Sequence, residues 1–275
     1  MLKHLLRGGE SGIQGDSWVA TLDGNSDAGL SVAVAPDGSV YVCGYTVSAG
    51  AGWFDFLLVK FNSSGTVQWQ KTLGGSEADM GYSVAVAPDG SVYVCGETES
   101  ADAGNHNLLL AKFSSSGTVQ WQRTLGGSDY DSGQSVAVAQ DGSIYVSGYT
   151  KSAGVGRADL LLAKFSSSGT VQWQKTLGGS DEDHGFSVAV APDGSVYVSG
   201  DTSNDVLLAK ITDSLIEQDT VIFGSLTFQD ASLTAKNVSL TVTSPGFSVS
   251  NANLALRNAS LTVGTPSLPT KLYTY

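Results

Sequence analysis

Four acidic loops recur along the chain, and each carries an aspartate at the same position. Three of them read LGGSEADMG, LGGSDYDSG and LGGSDEDHG, and LDGNSDAG aligns with them. Carboxylate oxygens bind hard cations, so Ca²⁺ could be held where a ring brings such loops to one mouth of its channel. The competing interpretation is an Asx-type turn, in which each aspartate bonds its own backbone, and repetition in every unit favours it. The four aspartates are Asp27, Asp79, Asp131 and Asp183.

Four further loops differ between the repeats, and such variation within a fixed frame is where binding specificity usually lies. They read TVSAGAGWFDF (46–56), TESADAGNHN (98–107), TKSAGVGRAD (150–159) and TSND (202–205). Aromatic, imidazole and guanidinium groups in them predict contacts to a glycan or a protein. The alternative for the aromatic pair is packing against a neighbouring repeat or the tail. The candidate ligand-binding residues are Trp53, Phe54, His106 and Arg157.

Motifs of familiar catalytic sites are missing from the sequence. His4, His106 and His184 lack the H-E-x-x-H spacing of a metal site, and no G-x-S-x-G or P-loop sequence occurs. Paired carboxylates are plentiful, so a glycosidase-like enzyme is kept as the third hypothesis. Acid–base chemistry needs carboxylates in different environments, whereas four similar loops offer similar ones. The prediction is a protein that is not an enzyme and has no cofactor, Ca²⁺ excepted.

These loops are carried by a repeat of about 52 residues, marked by Trp18, Trp69, Trp121 and Trp173. A period of this length is typical of solenoids and propellers. Four strands are predicted in each unit, with Pro-Asp-Gly turns between the first two and S-S-S-G-T turns between the last two. In the second copy the strands are SVAVA (83–87), SVYVCG (91–96), NLLLAKF (107–113) and TVQWQRTL (118–125).

The predicted strands are apolar on both faces, so they need cover on both sides. Sheets stacked around an axis give that cover, and the predicted fold is all-β: a propeller of four four-stranded blades. The fourth unit runs into TDSLIEQ where a TVQWQ-type strand is expected, and SGIQGDSWVATL (11–22) resembles that strand. We therefore expect the N-terminal strand to complete the last blade and close the ring. The alternative is closure between two chains, which gives eight blades.

The repeated pattern LGGS-x-x-D-x-G-x-SVAVA-x-DGSVYV-x-G-x-T, followed by LLLAKF and SSGT, resembles the SBBP (seven-bladed β-propeller) repeat family over about residues 11–211. The resemblance implies a propeller that is not an enzyme and is often associated with a surface. It supplies no catalytic residue. This sequence has four repeats, whereas the name of the family implies seven.

From Ser225 the sequence falls into heptads, such as SLTFQDA, SLTAKNV and SLTVTSP. Apolar residues at places two, four and seven form no helical stripe, whereas places two and four share one face of a strand. Short β rungs are therefore predicted, and one rung cannot bury its apolar side alone. One alternative is a solenoid or a stalk shared by three chains, similar to the shafts of phage fibres and adhesins. The other is a small β-sandwich or meander packed against the propeller.

Composition limits the classes of partner. The net charge of −12 lacks the basic patch of a nucleic-acid binder, and no apolar run is long enough to span a membrane. The N-terminus does not read as a secretory signal peptide. Cys43 and Cys95 lie at equivalent sites where the later repeats have Ser147 and Ser199, which predicts buried free thiols in a small niche.

The predicted organisation is an N-terminal arm (1–10), a propeller (11–218) and a β-rich stalk or packing segment (219–275). The favoured function is a non-catalytic structural and binding component of a phage or phage-like fibre, spike or virion, exposed on a virion or extracellular surface. It would bind a protein or glycan receptor and form a homo-oligomer, a trimer, through 219–275. The alternative is a cellular propeller scaffold that binds a protein or glycan.

Overall fold

The structure is a computed structural model. It describes residue 18 and residues 20–22, 26–101, 106–203 and 205–212, together with the backbone of five short strands between 220 and 250. Every regular element among these residues is a β-strand. The part of the chain described here contains no helix that could cross a membrane. The all-β class predicted from the sequence is confirmed.

The four repeats form four antiparallel sheets, here called blades 1 to 4. In each blade the strands lie side by side in chain order. Blade 1 contains β2 (Ala28–Val34), β3 (Val40–Thr46), β4 (Asp55–Phe61) and β5 (Val67–Gly74). Blade 2 contains β6 (Asp79–Val86), β7 (Val92–Thr98), β8 (Asn107–Phe113) and β9 (Val119–Gly126). Blade 3 contains β10 (Asp131–Val138), β11 (Ile144–Thr150), β12 (Asp159–Phe165) and β13 (Val171–Gly178). Blade 4 contains β14 (Asp183–Val190), β15 (Val196–Thr202) and β16 (Asp205–Ile211).

The Asp-Gly turns between the first two strands of each blade have the predicted geometry. Their glycines, which are Gly38, Gly90, Gly142 and Gly194, have φ between 80° and 84°, a region that costs glycine little. The aspartate of each turn accepts a backbone hydrogen bond from two residues on, as Asp89 does from Ser91 at 2.8 Å. This end of the molecule is therefore formed by rigid turns.

Consecutive blades bury their facing surfaces against each other, so blades 2 and 3 are covered on both faces, as the two-sided apolar pattern predicts. Between blades 2 and 3, Leu108 and Leu110 of β8 pack with Val146 of β11 and Leu161 of β12. Equivalent apolar layers lie between blades 1 and 2 and between blades 3 and 4. At the turn end, the first strands of blades 1 to 3 line one cavity of about 370 Å³. The strands nearest that cavity carry the small alanines of SVAVA.

The repeated tryptophan ties the last strand of one blade to the last hairpin of the next. The Trp69 indole lies against Gly117 and donates Nε1–H to the Ser115 carbonyl at 3.2 Å. Trp121 makes the same bond to Ser167 at 3.1 Å. The indole is thus a packing element at the blade edge. The absence of a side chain on Gly117 leaves room for the ring.

The N-terminal strand β1 (Thr21–Leu22) lies against blade 1. Trp18 stacks on Phe61 with ring centroids 6.0 Å apart and donates Nε1–H to the Ser63 carbonyl at 3.0 Å. Among the described residues β1 pairs with a C-terminal strand, and blade 4 has three strands. Closure of the ring by the N-terminal strand therefore stays a prediction.

Three C-terminal rungs pair with blades 3, 2 and 1, one rung to a blade, and a fourth pairs with β1. After β17 (Thr220–Phe223), which forms a hairpin with the next strand, the rungs are β18 (Leu226–Asp230), β19 (Thr234–Asn237), β20 (Thr241–Thr243) and β21 (Val249–Ser250). β18 extends blade 3, β19 extends blade 2, β20 extends blade 1 and β21 pairs with β1. Place four of successive heptads lies opposite equivalent leucines: Phe228 with Leu177, Ala235 with Leu125, Val242 with Leu73 and Val249 with Leu22.

The prediction of short β rungs is thus confirmed for these residues, and the chain advances one blade for every seven residues of tail. Their pairing is that of a segment packed against the propeller. Residues 251–275 and the N-terminal arm (1–10) lie outside the described residues, so the trimeric stalk stays a prediction.

The two cysteines are free and buried, as predicted. Burial raises the pKa of Cys43 to about 12, and it raises the pKa of Cys95 well above its ordinary value. Both thiols therefore stay protonated and unreactive at neutral pH.

Candidate functional site

The acidic loops and the variable loops lie at the same end of the blades, here called the loop end. The first strand of each blade begins there, the second strand ends there, and the third begins there. The Pro-Asp-Gly turns lie at the opposite end. The topology therefore brings all the side chains selected from the sequence, apart from residues outside the described ranges, to one end of the molecule.

The repeated aspartates accept hydrogen bonds, and those of blades 2 to 4 are buried. Asp79 accepts from the Thr98 hydroxyl, from Ser100 Oγ at 2.7 Å and from the Gly75 amide at 2.8 Å. Asp131 has the same three kinds of donor in blade 3. Burial raises the pKa of both carboxyl groups, although these donors oppose the rise. The aspartates therefore join the first two strands of a blade to the loop that precedes them.

At the three blade junctions, the first residue of the third strand lies beside the repeated aspartate of the following blade, and at two of them this residue is also an aspartate. Asp55 lies beside Asp79, and Asp159 lies beside Asp183, while the junction of blades 2 and 3 has Asn107 in this place. One carboxylate oxygen on each of Asp159 and Asp183 is buried with no hydrogen-bond partner. Burial, followed by the Asp183 charge, raises the pKa of Asp159.

The described residues contain no group of three or more His, Cys, Asp or Glu side chains placed to hold a metal ion. Asp79, Asp131 and Asp183 each lie in a separate blade junction, and Asp27 of blade 1 bonds the Thr46 hydroxyl at 2.7 Å. The turn interpretation covered only bonds to the aspartate's own backbone, whereas Asp27, Asp79 and Asp131 also accept hydrogen bonds from hydroxyl groups of the neighbouring strand. Ca²⁺ binding by these four residues stays a prediction.

A cluster of side chains that the aspartate motif did not reveal surrounds Glu97 on β7. Its buried carboxylate accepts hydrogen bonds from Tyr82 at 2.8 Å and from Tyr130 at 2.6 Å. His106 lies between two carboxylates, with Nε2 2.6 Å from Glu99 and Nδ1 3.5 Å from Glu97. The sequence selected His106 only as a member of a variable loop, and the structure places it in contact with this acidic group.

The two tyrosine hydroxyls of the cluster are held in their protonated state. Burial raises the pKa of Tyr82 and Tyr130 far above the ordinary value, and the adjacent Glu97 raises it further. At neutral pH both hydroxyls therefore act as hydrogen-bond donors and not as bases or nucleophiles.

From this cluster a row of rings runs across three blades: His106, Tyr130, Tyr149, His184 and Phe186, here called the aromatic row. The centroids of Tyr130 and Tyr149 are 5.7 Å apart with the ring planes 1° from parallel, and His106 stacks on Tyr130 at 4.2 Å. His184 meets Tyr149 edge-on at 4.7 Å and stacks with Phe186 at 5.8 Å. Phe186 is exposed and the others are partly buried, so the row is accessible to a ligand.

The blade 4 end of the row opens into an acidic cavity of about 390 Å³. His184 Nδ1 lies 2.9 Å from Asp201 Oδ1 within it. Arg157, which the sequence selected, lines this cavity and is its one Lys or Arg side chain. The lining residues are Arg157, Asp181, Glu182, His184, Asp201 and Ser203. Three carboxylates against one guanidinium favour a cationic ligand.

The other two residues selected from the sequence are not members of the aromatic row. Trp53 is exposed, and Phe54 meets Tyr45 edge-on with centroids 5.3 Å apart. Tyr45 occupies the position in blade 1 that Glu97, Tyr149 and Asp201 occupy in blades 2 to 4. That position varies in the otherwise repeated V-x-G-x-T stretch, and its variation was the signal that could have revealed the site.

Comparison with known proteins supports the propeller. A family profile described as "Domain of unknown function (DUF5122) beta-propeller" matches residues 35–67. The regulatory protein FlaEY of Caulobacter vibrioides is 28% identical over 190 residues, covering 56% of this chain and 20% of that protein. The chain thus spans about a fifth of the length of this relative.

Two solved structures resemble the chain distantly. A protein of unknown function from Bacteroides caccae has a TM-score of 0.36 and 11% identity, covering 70% of this chain and 64% of its own. A protein assigned as a gluconolactonase has a TM-score of 0.37 and 14% identity, covering 76% of this chain and 59% of its own.

Proposed function

We propose that the protein is a non-catalytic binding scaffold whose loop end binds a cationic segment of a partner protein. The observation that carries this proposal is the aromatic row with carboxylates at both of its ends. Rings attract cations through their faces, and carboxylates attract them through charge. The two kinds of group together suit lysine and arginine side chains better than a neutral glycan.

The row already accommodates one cation of the chain. Lys151 Nζ lies 6.0 Å from the centroid of Tyr130, at the outer limit of a cation–π contact. The acidic cavity is lined by His184, two rings along the row from Tyr130, and has room for a second cationic side chain beside Asp201 and Glu182. A basic peptide lying along the row would therefore meet rings in its middle and carboxylates at each end.

The two tyrosine hydroxyls on Glu97 support binding and not catalysis. Tyr82 and Tyr130 are donors bound to Glu97, and their raised pKa values remove them as bases at neutral pH. Rigid placement favours recognition, because side chains fixed by stacking lose little entropy when a ligand binds.

The tail arrangement favours the scaffold over the fibre hypothesis. A trimeric stalk needs rungs that are free to meet other chains, whereas β18, β19 and β20 pair with β13, β9 and β5 of the same chain. We propose a virion or an extracellular surface as the location of this scaffold. We also propose that the units are SBBP repeats and that a β1-type strand completes blade 4.

Binding of a fluorescein-labelled oligolysine peptide, followed by fluorescence anisotropy at low and at physiological salt, tests the proposal. We expect Asp201→Asn and Tyr149→Ala each to weaken binding about 5- to 10-fold, since each removes a contact of about 1–1.4 kcal/mol. The same peptide with acetylated lysines, which has no positive charge, should not bind.

Asp193→Asn is the matched control. It removes the same unit of charge at the turn end, where the aspartate accepts a hydrogen bond from the Ser195 amide at 2.9 Å and asparagine can replace it. Equal weakening by Asp193→Asn and Asp201→Asn would mean that the peptide senses only the net charge, and the proposed site would be wrong. If the protein binds neutral oligosaccharides and does not bind oligolysine, the cationic partner is wrong and the ligand is a glycan.

A further inference from the structure

The outer face of blade 4 exposes apolar side chains that every other blade buries. Val206 is 92% exposed and Leu208 is 71% exposed. At the equivalent positions of blades 1 to 3 no side chain is more than 2% exposed. Those six residues, which are Phe56, Leu58, Leu108, Leu110, Leu160 and Leu162, pack against the following blade. Blade 4 therefore presents an interface built for a following blade.

The outer face of blade 1 is the complementary half of such an interface. Val32 is 63% exposed, whereas Val84, Val136 and Val188 at the same position of blades 2 to 4 are 6–7% exposed and pack against the preceding blade. Next to it lies a cavity of about 270 Å³ lined by apolar residues that include Val42, Leu57, Val59 and Phe61. Blade 1 is thus only partly covered on this side.

The strand that covers part of blade 1 occupies the place of a fourth strand of a preceding blade. Trp18 bonds the Ser63 carbonyl and lies against Gly65, as Trp69 does with Ser115 and Gly117. β21 pairs with β1 as β20 pairs with β5. The preceding blade is therefore represented by its fourth strand alone, and blade 4 is described with its first three.

We propose that a second copy of this chain supplies the missing part: β16 of one copy pairs with β1 of the other, and the face bearing Val206 and Leu208 packs on the face bearing Val32. Made twice, this head-to-tail contact closes a symmetric ring of two chains and eight blades, within the range that propellers adopt. It also pairs the open edge of β16, which would otherwise invite aggregation.

A second copy fits the described structure better than the chain's own N-terminal strand does. β1 is held on blade 1 by Trp18 and Phe61 and by β21, at the far end of the stack from β16. The first strands of consecutive blades pack on each other along the stack, from β2 through β6 and β10 to β14. Among the described strands, blades 1 and 4 share no contact of that extent.

Light scattering on the intact chain tests this proposal. We expect a discrete particle of twice 28.3 kDa, and monomers for both Leu208→Asp and Val32→Asp. Both positions are exposed in one copy, so each variant should keep the far-UV circular dichroism of the wild-type fold. Val206→Asp is a second variant of the same face, and Val155→Asp, on an exposed loop, should leave the dimer unchanged.

An equimolar mixture of Leu208→Asp and Val32→Asp gives the decisive result, because each variant retains the half of the contact that the other has lost. The proposal requires a one-to-one complex in the mixture, held by a single interface. A wild-type monomer at all concentrations, open chains of higher mass, or variants that stay monomeric when mixed would each overturn it.

Discussion

Replacing Asp159 by asparagine should stabilise the protein at neutral pH, because Asp159 and Asp183 are like charges buried together. A Cβ atom at Gly178 would lie 2.0 Å from one Asp159 oxygen and 3.0 Å from one Asp183 oxygen. These two oxygens are therefore at most 5.0 Å apart, the sum of those distances. Asn107 occupies the position of Asp159 in blade 2, which shows that the site accepts an amide.

The repulsion of two unit charges at that separation is about 3 kcal/mol at an effective dielectric constant near 20. Uptake of a proton by Asp159 limits the cost to less than this value. We expect Asp159→Asn to add about 1–2 kcal/mol to the free energy of unfolding at pH 7, which for a chain of this size raises Tm by about 2–8 °C.

The pH dependence identifies the cause. The pKa of Asp159 is raised in the folded state, so its contribution to stability is complete below the ordinary pKa of 3.8 and falls as the pH rises through the folded-state value. Asparagine does not titrate, so the gain in Tm should be smallest near pH 4 and should grow toward neutral pH. Thermal melts of both proteins between pH 4 and pH 8 measure this difference.

Asp131→Asn is the matched comparison, because Asp131 accepts hydrogen bonds from two hydroxyls and one amide. An amide group has only one acceptor oxygen, so this variant should lose about 1–3 kcal/mol. If both variants lower Tm by similar amounts at every pH, repulsion between Asp159 and Asp183 does not destabilise the folded state, and the reasoning above is wrong.

Two other predictions follow from buried positions. Cys43→Ser and Cys95→Ser should each lower the free energy of unfolding by about 1 kcal/mol or less, since Ser147 and Ser199 occupy the same niche. Both native thiols should react with a thiol reagent only after unfolding, and reaction in the folded state would contradict their burial. Gly96→Ala should prevent folding, because its Cβ would lie 1.8 Å from the Met80 carbonyl oxygen. Gly142 has free space around it and φ of +82°, so Gly142→Ala should lower the free energy of unfolding in urea by only about 1 kcal/mol, and equal costs for the two variants would contradict this geometry.

The sequence predicted the blades because their determinants are local. Predicted strand 107–113 agrees with β8 (Asn107–Phe113), and predicted strand 118–125 with β9 (Val119–Gly126). Alternation, turn glycines and a repeating period are enough to place such strands. The predicted start of the first strand, 83, falls after the true start of β6 at Asp79, because a bulge at Gly81–Ser83 interrupts the alternation.

The pairing of the rungs and the aromatic row could not be predicted in the same way. A heptad shows which residues share a face of a strand, but not which edge that strand joins, and the partners of β19 lie about 110 residues earlier in the chain. The row brings together His106, Tyr149 and His184 from three blades, so its members share no local motif. Only the packing of consecutive blades places them side by side.

Disulfide formation tests whether the tail and the blades are matched, one heptad to one blade. In a Cys43→Ser, Cys95→Ser background, cysteines would be introduced in pairs at directly opposed positions of antiparallel strands, where the Cα separation suits a disulfide. The three pairs, one per blade, are Thr72 with Thr243, Thr124 with Lys236, and Thr176 with Gln229.

Oxidation of each variant should give a disulfide within one chain, with the mass of a single chain on a denaturing gel and a linked peptide of the expected sequence by mass spectrometry. A shifted pairing, such as Thr72 with Lys236, should not cross-link. Disulfides that form only between chains, or that form equally well in the shifted pairing, would contradict the match between the two repeats.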